Sequence, residues 1–511
     1  MGTLRYMLDL RSGARRRGAA LLVVGAASLL AACGTRVSHS EVIAGAGGGP
    51  VTLGSTVATQ AAPGGTDTAS IPVAGTPTSA ASGGGAVVAP PVGTTPTGAI
   101  SGPGVTTPTS VASSTGGGPT TAPTKGATAT SAASSGGSTP QACTKQGSTI
   151  VYGQVGTFSG VVGASQGSSQ AGLKVWAAAT NAAGGIACHP VQVISIDDAG
   201  DAGRAQSAVQ QMVESDHAVA INAFTPLTFN GIQSYIDSKK IPVVGGDLLD
   251  KRWYTDPNFF PSGSTFESVI YSFLKYGAQA GGHKYSFLYC IEATPCTAAQ
   301  DVITKQGVAA KAGLQGVGDQ PISLAGSNFT QQCATAKSKG ADVVIVGAGA
   351  TALTAIGRDC SNQGYHPLYI TESLAAVNSL ANDPNMEGLI LGNVAFPYMS
   401  TNTPAEQAFS EAVKKYAPGL DPSGAAAGAW ASGELLKKAI LNLGQQAYGD
   451  LTPALVMQAM HTIKGDNING LVPGKLDFSG NLPVPDKCAF VTQIKGGKFV
   501  APIGDQQICE P

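Results

Sequence analysis

Few side chains in this 511-residue chain are spaced to do covalent chemistry. Its six histidines, His39, His189, His217, His283, His366 and His461, show no metal-ligand spacing and no HExxH pair. Ser159 stands in Phe-Ser-Gly, not in the GxSxG turn that exposes a nucleophilic serine. The stretch 153–167 is glycine-rich but has neither the lysine of a phosphate-binding loop nor a GxGxxG pattern. Adjacent Asp197 and Asp198 have the chemistry for acid–base work or metal binding. A strand-end turn with a helix cap for a helix over 202–213 accounts for them with fewer demands. No metal, no cofactor and no catalysis are therefore expected. What remains is noncovalent chemistry, and the place to look for it is the loops that follow apolar runs.

The elements that would position such loops are clearest over 150–198. An apolar run at 150–155 leads into a Gly/Ser-rich loop at 156–167. A helical period follows over 170–183, with Leu173, Val175, Trp176 and Ala179 on one side, and Gly184-Gly185 stops it. A second apolar run, 191–196, ends at Asp197-Asp198. Strand, loop, helix, strand implies parallel strands joined by a right-handed crossover. Ligands of open α/β sheets bind at the carboxyl ends of the strands. The alternation continues, with strands expected at 219–224, 241–244, 285–290, 320–324, 343–346 and 367–371, and 389–396 extended. Helices are expected between them, including one over 297–312, then over 404–416, 425–443 and 453–460. The end reads as β-rich, over 474–478 and 489–503, with Gly496-Gly497 as a hairpin turn.

Composition divides the chain. A net charge of -1 gives no ground for nucleic-acid binding. Residues 1–32 read as an export signal: Arg11, Arg15, Arg16 and Arg17, then an apolar run too short to span a bilayer. It ends in Leu30-Ala31-Ala32-Cys33, which resembles the bacterial lipobox and makes Cys33 the expected lipid attachment site. Residues 33–142 are Gly, Ser, Thr, Ala and Pro with almost no charge, a composition that cannot build a core and reads as a disordered linker. A flexible chain of that length spans roughly 50–60 Å. The location expected is thus the extracytoplasmic face of the cell membrane, by a lipid anchor.

Nine cysteines fit an oxidising compartment. With Cys33 lipidated, eight remain, an even number that suggests four disulfides, although eight cysteines allow 105 connectivities. Placement narrows these. Cys143 and Cys188 precede neighbouring strands. Cys290 and Cys296 flank one loop, and Cys333 and Cys360 lie on successive helices. Cys488 and Cys509 stand at the two ends of the terminal hairpin.

From Cys143 onward the chain resembles a known family. The marks are Thr157-Phe158-Ser159-Gly160, Asn181-Ala182-Ala183-Gly184-Gly185-Ile186, Asp197-Asp198, Ile241-Pro242-Val243-Val244, Met386-Glu387-Gly388-Leu389 and Asp421-Pro422-Ser423-Gly424-Ala425, in this order. They are similar to those of type I periplasmic binding proteins, in the leucine/isoleucine/valine-binding branch of ABC-importer receptors. The resemblance implies an α/β fold of two Rossmann-like lobes with parallel-sheet cores and a ligand cleft between them. It implies one lobe from 143–262 with 400–478 and another from 263–399 with 479–511. It also implies a monomer that delivers a small polar solute, an amino acid or similar, to an ABC permease in the membrane. A sensor that signals to a partner protein without transport is the alternative, and a tethered hydrolase a remote third.

The family's binding loops fall here on Ser159, Ser165, Thr225, Thr228, Gly246 and Asp247 in the first lobe, and on Thr294, Gly349 and Glu372 in the second. In amino-acid receptors of the family, hydroxyls and backbone amides hold a carboxylate and an acid holds the ammonium. Glu372 falls where that acid belongs. Two departures stand out. Ser165 and Gly349 occupy positions where tyrosines are expected, and Asp247 would oppose a carboxylate. These departures make a polar, cationic or polyol solute plausible. Trp430 lies on a helix within reach of the cleft, though a core position is the commoner fate of such a residue.

Overall fold

The run Ile150–Gly156 is apolar except for Gln154 and almost wholly buried, as a strand covered by helices on both sides must be. The computed structural model that shows this describes Cys143 and residues 145–511; the export signal, Cys33 and the low-complexity stretch lie outside the described residues.

The first lobe alternates β1 (Ile150–Gly156), α1 (Ser168–Ala182), β2 (Val191–Asp197), α2 (Ala202–Glu214), β3 (Ala220–Phe224), α3 (Phe229–Lys239) and β4 (Val243–Gly246), with a short β5 (Phe259–Phe260). Its parallel sheet has the order β2-β1-β3-β4-β5. The second lobe holds α4 (Phe266–Gln279), β6 (Lys284–Cys290), α5 (Thr294–Gln300), α6 (Val308–Ala312), β7 (Gln315–Ile322) and α7 (Thr330–Ser338). It continues with β8 (Val343–Gly347), α8 (Ala350–Ser361), β9 (Leu368–Glu372) and β10 (Ile390–Asn393). The chain then returns to the first lobe for α9 (Pro404–Tyr416), α10 (Gly424–Asn442), α11 (Pro453–Met460) and the ribbon β11 (Lys464–Asp466) with β12 (Leu476–Asp477). It ends in the second lobe with β13 (Cys488–Ile494), β14 (Phe499–Val500) and β15 (Ile508–Cys509). The second sheet runs β14-β13-β10-β9-β8-β6-β7, and β13 lies antiparallel to β10.

Local sequence explains the joints. α9 opens with Thr403, Pro404 and Glu406, a reciprocal capping box. The Ala/Gly-rich start of α10 lets it press on α1: a Cβ at Gly433 would sit 2.2 Å from the Trp176 ring, and one at Gly172 would sit 2.5 Å from the Ala426 carbonyl. The three crossings between lobes lie side by side. Ser264 N–H donates to the Val394 carbonyl (2.9 Å) and Thr265 N–H to that of Asp486 (3.1 Å).

Four disulfides join Cys143–Cys188, Cys290–Cys296, Cys333–Cys360 and Cys488–Cys509, with Cα separations of 5.6, 5.3, 5.0 and 3.9 Å. Several details differ from expectation, among them the strand expected over 320–324, which is β7 at Gln315–Ile322. The single helix expected over 297–312 is three pieces: α5, a π turn Asp301–Lys305, and α6 entered through Gly307 at φ 71°. The loop 156–167 contains helical turns at Gly160–Val162 and Gly163–Gln166. The cap of α2 is Asp201, which accepts from Arg204 N–H, rather than the Asp197-Asp198 pair. Asp197 instead accepts from the backbone N–H of Phe158, and Asp198 from the hydroxyls of Thr157 and Thr228, so this pair pins the loop after β1.

Candidate functional site

The lobes meet where the helical turn Gly163–Gln166 lies against α8 and the turn Ser373–Ala375. A Cβ at Gly424, the first residue of α10, would come within 2.4 Å of the Ser373 carbonyl. Only glycine lets the first lobe approach the second so closely here.

Between these contacts lies a cavity of about 100 Å³. The first lobe contributes Val162, Ser165, Gln166, Pro226 and Leu249. The second contributes the strand-end residues Gly347, Ala348, Gly349, Thr371 and Glu372, and Pro295 and Cys296 at the start of α5. Its deeper wall is apolar, formed by Phe266, Ile270 and Phe273 of α4, Phe287 of β6 and Ile345 of β8. Among the described residues lining it there is no lysine, arginine or histidine. Ser165 Oγ and Gln166 Oε1 are buried and make no hydrogen bond within the protein.

A smaller cavity adjoins on the first-lobe side, lined by Thr225, Asp247, Asp250, Arg252, Thr294 and Pro295 among others. Arg252 is not available to a ligand: its guanidinium clasps Asp250 (2.6 and 2.8 Å) and lies over the Phe229 ring. Asp247 is 1% exposed; its Oδ1 accepts from Leu249 N–H (3.1 Å), while Oδ2 has no partner in hydrogen-bond geometry. Thr225 Oγ1 is likewise unpaired. A buried polar ladder holds this loop. Ser195 donates to Gln154, Gln154 to Asn222, and Asn222 to the Gly245 carbonyl.

Burial pushes Glu372 up to about 8, against a backbone hydrogen bond from Leu374, with the charge of Asp247 adding to the rise. Burial likewise pushes Asp247 up to about 7. Each lobe thus offers one acid to the cleft; dehydration disfavours the ionised form of both, with the charge of Asp250 adding to the rise of Asp247 and that of Asp247 to the rise of Glu372.

Of the nine candidate residues, Ser165, Gly349 and Glu372 line the main cavity, and Thr225, Asp247 and Thr294 the adjoining one. The other three stand elsewhere. Ser159 is exposed on the rim. Thr228 spends its hydroxyl on Asp198 (2.6 Å). Gly246 is packed against the Ala223 carbonyl inside the sheet. Trp430 is in the core, edge-on to Phe409. The apolar wall and the ladder were not anticipated. Phe273, Phe287 and Ile345 carry no mark that separates a cavity wall from an ordinary core.

Two α/β lobes, joined by three crossings and closed over a cavity at their strand ends, define a hinged solute-binding protein. Residues 149–498 match the family model described as periplasmic binding protein, and the chain belongs to that family, one of binding proteins rather than enzymes. Solved structures share the fold. One is a branched-chain amino acid ABC transporter protein from Thermus thermophilus with bound valine (15% identity, 71% of this chain and 97% of that one, TM-score 0.62). Another is a fatty acid ABC transporter substrate-binding protein from Thermomonospora curvata (17%, 72% and 95%, 0.59). A third is a solute-binding protein from R. palustris in complex with benzoate (15%, 71% and 98%, 0.58). No curated protein matches the sequence.

Proposed function

We propose that the chain is the extracytoplasmic solute receptor of an ABC importer. It closes its lobes over a small solute, presents it to a membrane permease, and is held to the membrane by lipid on Cys33, a residue outside the described ones. The cavity carries this reading: walls from both lobes, an apolar lining, and an acid on each side, with the one cation of the adjoining space, Arg252, already paired to Asp250. The solute that fits has an apolar body and a cationic, hydrogen-donating end. A polyol would leave hydroxyls unpaired against Phe and Ile side chains, at a cost of about 1–3 kcal/mol each. A simple amino acid would bring a carboxylate towards Asp247. Valine and benzoate, named for two solved relatives, both carry an apolar body.

Thermal-shift screening of amines, amino acids and polyols tests this, because a ligand at a hundred times its Kd stabilises by about 2.7 kcal/mol. Apolar amines are expected to raise Tm. A screen in which polyols alone raise it rejects the solute class. The anchor is tested separately by intact mass of the membrane fraction, where a diacylglyceryl group on Cys33 is expected.

A further inference from the structure

The cavity does not stop at the cleft. Val162, Pro226 and Leu249 of the first lobe and Pro295 and Ala348 of the second line it where the lobes meet. Beyond that junction the walls belong to the second lobe. Phe266, Ile270 and Phe273 lie at i, i+4 and i+7 and therefore share one face of α4. Phe287 and Ile345 are paired neighbours on β6 and β8, so their side chains leave the sheet on the same face. The third wall is α5 with its π turn, through Ala299 and Ile303, again one helical turn apart. Ile270, Phe287, Ile303 and Ile345 are each 1% exposed and offer no polar side-chain group. The π turn widens the helix where Ile303 enters the wall, and such turns recur at functional sites. The disulfide Cys290–Cys296 staples the start of α5 to the end of β6, which fixes the near end of this wall.

We infer that this crevice is a tail subsite: it takes the alkyl chain of a single-chain amphiphile whose amine head stays between the lobes near Glu372. The inference rests on the proposed function for the head. The tail follows from different atoms. A polar extension has no partner between α4 and the sheet, whereas an alkyl chain needs none.

Calorimetric titration of the full-length chain with primary alkylamines, from butylamine to decylamine, tests it. Affinity is expected to rise roughly fourfold per methylene until the crevice is full, the increment for complete burial of one methylene. Ala299→Phe, which fills the crevice, should end that rise at shorter chains. Ile303→Ala, which lengthens it, should extend the rise to longer ones, and cooperative melting shows that each variant folds. An affinity independent of chain length, or a chain-length limit that neither variant moves, overturns the tail subsite while leaving amine binding in the cleft intact. If alkyl alcohols or acids show the same chain-length series and amines do not bind, the tail subsite stands and the amine head is wrong.

Discussion

Glu372 stands at the last position of β9, and in the sequence it is marked by the resemblance, which places the family's ammonium-binding acid there. Its state is not legible there. The rise to about 8 comes from burial and from Asp247, which is 125 residues away in the chain (372 minus 247) and on the other lobe. At about pH 7 the acid is therefore largely protonated in the closed, ligand-free cleft, and an ammonium ligand binds best to its ionised form. Two outcomes follow. Glu372→Gln should weaken amine binding by about 1.5–3 kcal/mol, the worth of a hydrogen bond to a charged group. Wild-type binding at about pH 7 should release a proton to the buffer, and Glu372→Gln binding should release less. Calorimetry in buffers of different ionisation enthalpy measures both. An unchanged affinity in the variant removes Glu372 from the site.

At the scale of elements, apolar period and glycine stops made most strands and helices legible. The π turn was not, because 297–312 has a continuous helical composition and only Gly307 interrupts it. The disulfides were legible from the order of the elements: Cys488 and Cys509 are register partners on β13 and β15, and Cys333 and Cys360 lie on the successive helices α7 and α8. They should differ in effect. Cys143–Cys188 closes a span of 45 residues and Cys290–Cys296 a span of 6. Loop-closure entropy puts the first at about 4 kcal/mol and the second at about 2. Alanine pairs measured by chemical denaturation should keep that order. Binding should show the reverse, since only Cys290–Cys296 lines the cavity. A loss of affinity in the Cys143/Cys188 pair alone contradicts this assignment. The seam of α10 on α1 gives a third case. Gly433→Leu drives a side chain into Trp176 and should cost about 1–3 kcal/mol, the range for overpacking, read from the denaturation midpoint.

At the scale of the molecule, the α/β class was legible from the strand–helix alternation, and the division into two lobes from the resemblance to type I periplasmic binding proteins. The depth of the cavity was not, since its walls are α4 and sheet residues that any core would use. Closure also depends on chemistry that no single segment contains. Asp247 and Glu372 come from opposite lobes, burial raises both, and the charge of Asp247 reaches across the cleft to Glu372. Both are raised above their ordinary values, so closure favours their protonated forms. The stabilisation of the closed state is then fully present below the ordinary carboxylate values. It is lost as pH rises through about 7 and about 8, where the two acids ionise and repel. Small-angle scattering of the ligand-free protein should accordingly show a larger radius of gyration at about pH 9 than at about pH 5. The double variant Asp247→Asn with Glu372→Gln should stay compact at both. A saturating alkylamine should restore the compact form of the wild type at high pH, because its charge takes the place of the missing protons. If the wild type keeps one radius across this range, the acids do not govern closure, and their raised values describe only the interior of a cleft held shut by its apolar walls.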